Sequence, residues 1–354
     1  MKNKLLIIAI IAAIGFAFTA CGNDGDGGDD NNSTVYVPGN YHIGSSYMAC
    51  YWKDGVRIDL PVPAGTNESA SGGIAVHESS VYVSGYYEIG GNFKMCYWKD
   101  GNITILAEGM GPNSWAGNVV VMDGTVYVSG RCQIGSNFVV CYWEDGVRTD
   151  LPVPVGVTSS SYCDMAVYES NVYVSGYYQS GSNYVGCYWV NGTRIDLPVP
   201  AGTTFSYAGG IAVHGNNVYV SGGYQISSNM IPCYWKDGIR TDLPIPEGTS
   251  GYQQIGITVL DGKIYCASTY CGSDWWVGCY WVNGTRTDLQ SPSGATRFHA
   301  GNITVYGSSV YVSGRYQIGS NWTPYYWVNG TRIDLPVPDG TTFSHAGRVV
   351  VVNE

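Results

Sequence analysis

The chain has 354 residues, a formal net charge of −10 and only 12% charged residues, where about 25% is usual for a soluble domain. The absence of surplus cationic charge excludes a basic nucleic-acid binder, and the 45% share of hydrophobic residues excludes disorder over most of the chain. The 49 Gly and 30 Tyr favour strands over helices, because both residue types are poor helix formers.

The first twenty residues predict an export signal. Lys2 and Lys4 precede an apolar run at 5–18, which is followed by small residues. This run is shorter than the roughly 20 residues that a helix needs to cross a bilayer. Residues 1–20 are therefore expected to be a signal peptide that is removed on export.

The segment 18–21 (Phe-Thr-Ala-Cys) resembles a bacterial lipobox, with Phe at the position where Leu is usual. The resemblance implies cleavage before Cys21 and a lipid on its thiol, which predicts a lipoprotein. Residues 21–33 contain Gly, Asp and Asn but almost no apolar side chain, so we expect a flexible acidic tether. The protein would then touch the membrane only through its lipid anchor, in the bacterial cell envelope, at the outer membrane or the cell surface. The alternative is a secreted protein without an anchor.

A sevenfold repeat organises residues 34–354. A Tyr-Trp pair recurs about every 46 residues, and a Val-Tyr-Val strand or a close variant recurs with it. A period of 40 to 50 residues with strand-like units is typical of a propeller or a solenoid. The tryptophans of the pairs are Trp52, Trp98, Trp143, Trp189, Trp235, Trp281 and Trp327.

Each unit predicts four short strands. In the fifth unit they cover 210–213, 218–222, 232–235 and 239–243. Asp237-Gly238 lies between the last two strands, and Asp-Gly or Asn-Gly occupies this position in all seven units, which predicts two-residue hairpin turns. The second unit departs from the pattern in its fourth strand, at 102–104. The predicted fold is all-β: a seven-bladed β-propeller with four antiparallel strands per blade.

The chain ends predict closure. The N-terminal end of the repeat region begins at a second strand (34–37), and the chain stops after a first strand (348–352). We therefore expect the C-terminal strand to complete the first blade. An open solenoid would need capping repeats with polar faces, which the sequence does not contain.

The run Tyr-Trp-Lys-Asp-Gly-Val-Arg-Ile-Asp-Leu at 51–60 and its copies resemble the bacterial extracellular HAF repeat. The flanking Ala-x-x-Ile-Ala-Val strand is also similar. The resemblance spans 34–354 and departs from the family at Cys-Tyr-Trp, where the family has His-Ala-Phe. It implies an extracellular repeat domain, and no defined activity comes with this family.

The Arg and Asp that recur in the hairpins are predicted to have a structural role. A two-residue turn places Arg57 opposite Trp52 and Asp59 opposite Cys50 on one face of the hairpin. We expect the guanidinium to lie over the indole and the Asp to hold it, as a contact between blades. The alternative is a ring of charged ligand-binding sites. The same pair recurs at Arg148/Asp150, Arg194/Asp196, Arg240/Asp242, Arg286/Asp288 and Arg332/Asp334.

The eleven cysteines follow the repeat. Six occupy one equivalent position on separate blades, too far apart for disulfides, and are expected to be buried. The sequence leaves open whether one disulfide forms among Cys132, Cys163, Cys266 and Cys271. No C-x-x-C pair or His/Cys cluster has zinc spacing, so neither a metal site nor a cofactor is predicted. The six equivalent cysteines are Cys50, Cys96, Cys141, Cys187, Cys233 and Cys279.

Two variable positions are expected at the mouth of the central channel. One lies just before the first strand of each unit, and the other lies three residues earlier; together they mix aromatic rings with Asn, Asp, Gln, His and Arg. Aromatic planes stack on sugar CH groups while polar side chains bond hydroxyls, as in a carbohydrate site. The first position holds Gly73, Asn118, Asp164, Gly210, Gly256, Asn302 and Arg348. The second position holds Ala70, Trp115, Ser161, Tyr207, Gln253, His299 and His345.

A third position, three residues before each repeated Cys, always carries a large apolar side chain, which predicts packing between blades. Trp276 occupies it in the sixth unit, and with Trp275 it adds a candidate binding surface in a loop. The same loops carry Arg131 and Arg315. The candidate ligand-binding residues are Trp115, Asn118, Asp164, Tyr207, Gln253, Trp275, Trp276, His299, Asn302, His345 and Arg348.

Three functions fit this pattern. The leading hypothesis is a monomeric binding lipoprotein that recognises a glycan or a protein ligand on the propeller face. The second is a polysaccharide lyase or hydrolase with Asp164 and His299 or His345 in the mouth. It has weak support, because glycoside hydrolysis uses two carboxylates and Asp164 is the only acid in the ring. The third is a structural or assembly lipoprotein whose blade edges dock a membrane complex, and the side chains of the mouth are then ordinary polar loop residues.

Overall fold

A computed structural model describes residues 33–272 and 276–353. The predicted signal peptide (1–20), Cys21 and all of the tether except Ser33 lie outside the described residues, as does Trp275. The part of the chain that the structure describes consists of strands and turns, without a helix. It accordingly offers no helix of the length and apolarity that crossing a bilayer requires.

The strands follow one another in units of four. The first unit contributes β1 (Ser33–Ile43), β2 (Ser46–Lys53) and β3 (Val56–Asp59). The second and third units contain β4 (Glu68–His77), β5 (Ser80–Ile89), β6 (Asn92–Lys99), β7 (Asn102–Met110), β8 (Trp115–Met122), β9 (Thr125–Ile134), β10 (Asn137–Glu144) and β11 (Val147–Asp150). The fourth and fifth contain β12 (Ser160–Tyr168), β13 (Asn171–Ser180), β14 (Asn183–Val190), β15 (Thr193–Asp196), β16 (Thr203–His214), β17 (Asn217–Ile226), β18 (Asn229–Lys236) and β19 (Ile239–Asp242). The remainder are β20 (Ser250–Leu260), β21 (Lys263–Cys271), β22 (Trp276–Val282), β23 (Thr285–Asp288), β24 (Arg297–Tyr306), β25 (Ser309–Ile318), β26 (Asn321–Val328), β27 (Thr331–Asp334), β28 (Phe343–Ala346) and β29 (Val350–Asn353).

Within each unit, successive strands pair antiparallel. β4–β7 and β8–β11 form separate four-stranded sheets, whereas β12–β19 and β20–β27 each join two units into one eight-stranded sheet. The joint is a single parallel backbone pair, Tyr184 with Phe205 in one sheet and Trp276 with Arg297 in the other. The predicted all-β class and the four-stranded antiparallel unit are confirmed.

The C-terminal strands complete the first sheet. β28 and β29 both pair antiparallel with β1, with Asn40 opposite His345 and Thr34 opposite Val352. The first strands of successive units also pack against one another, from β4 through β8, β12, β16 and β20 to β24, and β29 packs against β4. Between β24 and the C-terminal segment, the Thr304 hydroxyl donates to the Val349 carbonyl at 2.7 Å.

The apolar core lies between consecutive sheets, and the repeated tryptophan ties the two together. Trp98 Nε1 donates to the Pro61 carbonyl of the preceding unit at 2.7 Å, and Trp52 Nε1 donates in the same way to Pro336 of the last unit at 2.8 Å. Trp143 and Trp327 have buried Nε1 atoms without a partner. At the equivalent positions of their preceding units, Leu106 and Gln290 replace the proline. The same bond joins Trp189 to Pro152, Trp235 to Pro198 and Trp281 to Pro244.

The predicted hairpin register is confirmed, but the predicted contact of Arg with Trp is wrong. Trp52 lies opposite Arg57 and Cys50 opposite Asp59. The Arg57 guanidinium nevertheless lies 5.1 Å from the centroid of the Tyr41 ring. The Trp52 indole is fully buried and bonded to the last unit. In other units the Tyr of the second strand contacts the Asp that pairs with the Arg, as when the Tyr178 hydroxyl donates to Asp196. The scaffold motif is therefore a Tyr-Arg-Asp cluster at the edge of the sheet.

The Asp-Gly and Asn-Gly turns adopt the predicted backbone. Asp54 and Gly55 have φ values of 48° and 77°, which a two-residue hairpin with twisted strands requires. The turn side chain also bonds the adjacent strand, since Asp54 Oδ1 accepts from the Val35 amide at 2.8 Å. In the second unit the turn is regular, and the departure lies in β7, which has nine residues where the other fourth strands have four.

The repeated cysteines are buried, as expected, and Cys50, Cys96, Cys141, Cys233 and Cys279 are free thiols. Of the four that break the pattern, Cys132, Cys266 and Cys271 are also free, and the side chain of Cys163 lies outside the description. Cys132 Sγ lies 3.7 Å from Cys141 Sγ on the neighbouring strand. Burial raises the pKa of the Cys50, Cys96, Cys233, Cys266 and Cys279 thiols well above their usual range.

Candidate ligand-binding site at the mouth

The two variable positions lie inside the first strands and not before them, which corrects the predicted strand starts. A register shift interrupts the first strand of each unit, between Ala116 and Val119 in β8 and between Tyr162 and Asp164 in β12. A bulge of this kind breaks the alternation of side chains and turns a strand end toward a new direction. The two positions flank the bulge, at the end of the units where the first strands begin. We call this end the mouth.

A cavity of about 590 Å³ opens at the mouth. It brings together residues from six units and from the C-terminal segment, and Trp115 is 39% exposed there. Seven predicted residues line it: Trp115, Asn118, Asp164, Tyr207, Asn302, His345 and Arg348.

Asp164 is the centre of a buried polar network. Its side chain is 5% exposed, and Arg348 Nη2 donates to its Oδ2 at 2.6 Å. The Met165 amide donates to Oδ1 at 2.8 Å, the Ile211 amide donates to Oδ2 at 3.2 Å, and the Asn118 amide group donates to Oδ1. The carboxylate thus joins β8, β12, β16 and the segment before β29. Four donors occupy it, so Asp164 serves as the floor of the cavity and is poorly placed to exchange a proton with a ligand.

A second cavity of about 560 Å³ adjoins the first, with Trp115, Tyr162, Gly72 and His345 in both walls. Gly117 allows the Tyr162 ring to approach the backbone, since a Cβ at that position would clash with the ring. The wall is rich in aromatic side chains. Tyr47, Tyr86 and Phe343 complete it, with Asn40 and Arg315 as polar members.

Two arginines at the mouth lie against aromatic rings. The Arg131 guanidinium lies 4.4 Å from the Trp115 ring centroid and 4.9 Å from that of Phe138. The Arg315 guanidinium lies 4.9 Å from the Trp322 ring centroid and 4.7 Å from that of Phe343. Burial lowers the pKa of both guanidinium groups below their usual range, although both stay charged at neutral pH.

His345 borders both cavities as a neutral imidazole. Burial, with the Arg315 charge as the second cause, lowers its pKa from 6.5 to about 4. It can therefore both donate and accept a hydrogen bond at neutral pH, as contact with hydroxyl groups requires.

His299 and Trp276 do not line either cavity. His299 is 9% exposed and lies between two indoles, with ring centroids 5.6 Å from Trp276 and 5.2 Å from Trp322. Burial first, and then Arg315, lowers its pKa from 6.5 to about 4. Trp322 also packs on Phe343 of the C-terminal strands at 6.1 Å, which confirms the predicted packing between units at this position.

Two predicted residues are not tested. Trp275 lies outside the described residues, and Gln253 lies in β20 with a side chain outside the description. Among the residues that the structure describes, no group of three or more His, Cys, Asp and Glu side chains is arranged to hold a metal ion.

Several aromatic residues of the site are not among the predicted residues. Tyr162, Tyr177 and Phe205 line the first cavity, and Tyr86 lines the second. One signal was available for part of this set: the residue after the Ser-Gly of the second strand varies among units, and this position supplies Tyr86, Arg131, Tyr177 and Arg315. Tyr162 also stands out in the repeat, because most other units have Ala or Ser at its position, as at Ala116 and Ala208.

No protein-family model and no curated protein matches the chain, so the HAF-repeat resemblance stays a prediction. Solved structures are similar at low identity. A thermostable family-43 glycoside hydrolase is 12% identical, covering 67% of this chain and 98% of that chain, with a TM-score of 0.36. An α-L-arabinofuranosidase from Lactobacillus brevis is 7% identical (56% and 82% covered, TM-score 0.34). The dihydro-heme d1 dehydrogenase NirN in complex with DHE is 10% identical (90% and 75% covered, TM-score 0.44). These scores are low, and no activity is carried over to this chain.

Proposed function

We propose that this protein is a binding protein that holds a glycan in the two adjoining cavities of the mouth. One observation carries the proposal: exposed or half-buried aromatic rings (Trp115, Tyr162, Tyr177, Phe205) surround Asn, Arg and neutral His side chains that can bond hydroxyls. This combination suits a pyranose, whose CH faces stack on rings while its hydroxyls need hydrogen bonds. Cavities of about 300 to 1,000 Å³ are usual for small ligands, and each of the two falls in that range.

The proposal includes a closed ring of seven blades. Its supports are the pairing of β28 and β29 with β1, the bond from Trp52 to Pro336, and the packing of first strands from β4 round to β29. Closure places the seven bulged first strands around one channel, whose end is the mouth.

We further propose that residues 1–20 are a lipoprotein signal peptide and that lipid on Cys21 anchors the protein in the cell envelope through the 21–33 tether. The support is the sequence alone. Replacing Cys21 by Ser is expected to move the protein from the membrane fraction to the soluble fraction.

Glycan binding is tested with a glycan array, followed by calorimetry on the best ligand. The Trp115→Ala variant is expected to lose at least tenfold in affinity, because it removes the most exposed ring of the mouth. Ile239→Ala is the control, since Ile239 is 74% exposed on an outer strand away from the cavities. A folded protein that binds no glycan on the array would contradict the proposal and favour a protein ligand. Equal affinity of the two variants would place the glycan outside the mouth.

A further inference from the structure

Among the described residues, neither arginine of the mouth has an anionic partner. The Arg315 guanidinium makes no hydrogen bond or ion pair within 33–272 and 276–353, and it lies against the rings of Trp322 and Phe343. Arg131 bonds only neutral acceptors, the Asn113 carbonyl at 3.2 Å and the Ser161 hydroxyl at 3.5 Å. By contrast, the hairpin arginines pair with carboxylates, as Arg194 does with Asp196 at 2.8 Å. A partly buried guanidinium without an anion is costly, so these two groups suit an anion that arrives with the ligand.

The aromatic contacts orient the two guanidinium groups. Each lies between two rings from different strands, Arg131 between Trp115 and Phe138, and Arg315 between Trp322 and Phe343. A planar guanidinium carries its N–H donors along its edges, and both arginines line a cavity; those of Arg131 also donate to the Asn113 carbonyl and the Ser161 hydroxyl. This geometry favours a planar, bidentate acceptor such as a carboxylate.

The walls of the cavities add no competing negative charge. Asp164 is the only acid among the described residues that line either cavity, and its carboxylate is engaged by Arg348, Asn118 and two backbone amides. The lining of the two cavities is therefore cationic, with Arg131, Arg315 and Arg348 against Asp164, in a chain whose formal net charge is −10; Glu68 lies behind the wall and accepts from the Tyr86 hydroxyl. A field of this sign attracts anionic ligands and repels cationic ones.

We propose that the ligand is an acidic glycan, in which the anionic group of a sugar residue binds Arg315 and a second one binds Arg131, while the aromatic rings between them stack on the sugar faces. The inference rests on the proposed glycan binding and specifies the class of glycan. The anionic group is a uronic acid carboxylate or a sulfate ester, since both present oxygen acceptors to a guanidinium.

The test compares ligand pairs that differ only in charge, with calorimetry on the full chain. Polygalacturonate is compared with its methyl ester, and a sulfated galactan with the desulfated galactan. Wild type is expected to bind the charged member of one pair at least tenfold more tightly than the neutral member, with an advantage that declines at high salt. Arg315→Gln should reduce that preference to less than threefold, and Arg315→Lys should restore part of it. Arg194→Gln removes the same charge from an exposed hairpin and should leave the preference unchanged.

The outcomes separate the inference from the proposed function. Discrimination within the first pair identifies a carboxylate, and discrimination within the second identifies a sulfate ester; either supports the inference. Equal binding of the charged and neutral members by wild type would overturn it while leaving glycan binding intact, and this comparison needs no variant that must fold. Polyglutamate binding as tightly as the charged glycan would also overturn it, because charge alone would then suffice. Absence of binding to every glycan, charged or neutral, would overturn both.

Discussion

At the scale of single residues, the molecule uses its charged groups in two ways. The hairpin arginines and aspartates are exposed ion pairs that repeat around the chain, whereas Asp164 and Arg348 form one buried pair at the floor of the mouth. An exposed pair contributes little to stability, because water screens it, but breaking a buried pair leaves an isolated charge in a medium of low polarity.

Replacing Asp164 by Asn is therefore expected to lower the free energy of unfolding by about 3 kcal/mol, because Arg348 would lose its anion inside the protein. Asp196→Asn, which breaks an exposed pair with Arg194, should cost less than about 1 kcal/mol. Urea denaturation followed by Trp fluorescence measures both. Similar small losses in the two variants would mean that the Asp164 network does not hold the mouth together.

The two histidines with lowered pKa values predict a loss of stability in acid. For His299 the pKa falls from 6.5 in the unfolded chain to about 4 in the folded one, so between these values only the unfolded chain gains the proton. Stability is then full above about pH 6.5 and falls as the pH approaches 4, by about 3 kcal/mol for this group. His299→Phe keeps the stacking with Trp276 and Trp322, and the melting temperature of this variant should fall less than that of wild type from pH 7 to pH 4. His77→Phe, at the other end of the units, controls for the loss of one imidazole, and parallel pH profiles for wild type and His299→Phe would contradict the assignment.

At the scale of elements, an indole attaches most units to the preceding one, both as part of the core and as a hydrogen-bond donor. Five units bond a proline carbonyl in this way, and two do not, although their indole rings lie in equivalent positions. The chain therefore contains its own comparison between a Trp with the bond and a Trp without it.

Trp235→Phe should destabilise the protein by about 1 kcal/mol more than Trp143→Phe. Both substitutions remove the same volume from a buried site, since Trp235 and Trp143 are 0% and 1% exposed, but only Trp235 loses a bond, to the Pro198 carbonyl. Chemical denaturation of the two variants measures the difference. An equal loss would show that the indole N–H contributes nothing to the attachment of the sheets.

Local rules predicted the hairpins of these elements. The Asp-Gly turn requires positive φ at both residues, and a two-residue turn fixes which residues face each other, so the register of Trp52 with Arg57 followed from the sequence. The sequence did not predict that Arg57 lies over Tyr41 and not over Trp52. That choice depends on the neighbouring unit, which binds the Trp52 indole. The starts of the first strands were also missed, because the bulges remove the alternation of side chains that marks a strand.

The candidate site was likewise predicted in part, because some of its contacts depend on packing between units. Repeat position brought Asn118, Asp164 and Arg348 into one predicted ring, and the structure joins them by hydrogen bonds. Tyr162 differs from the Ala or Ser of most other units, but its entry into the site depends on Gly117 of the adjacent unit, which the repeat position does not specify. His299 belongs to the predicted ring but is turned into an aromatic stack, a matter of side-chain packing that position in a repeat does not specify.

At the scale of the whole molecule, the C-terminal strands hold the two chain ends in one sheet. Deleting residues 348–354 removes β29 and the buried side chains of Val349 and Val351, and it uncovers the edge of β1. The truncated protein should lose at least about 4 kcal/mol of stability, from apolar burial alone. Thermal melting measures the loss, and deletion of residues 1–32 should leave the melting temperature unchanged. Melting of the C-terminal truncation at the wild-type temperature would contradict the closed ring.

The course of β1 sets the orientation of an anchored molecule. Ser33 pairs with Asn353 at one end of this strand, while His42 pairs with Phe343 at the mouth, nine residue steps or roughly 30 Å away. A tether that ends at Ser33 leaves the protein on the side opposite to the mouth. If lipid on Cys21 anchors the protein, as we propose, the membrane connection enters the body at the end opposite to the cavities. Long polymers in the surroundings could then enter the mouth without approaching the membrane.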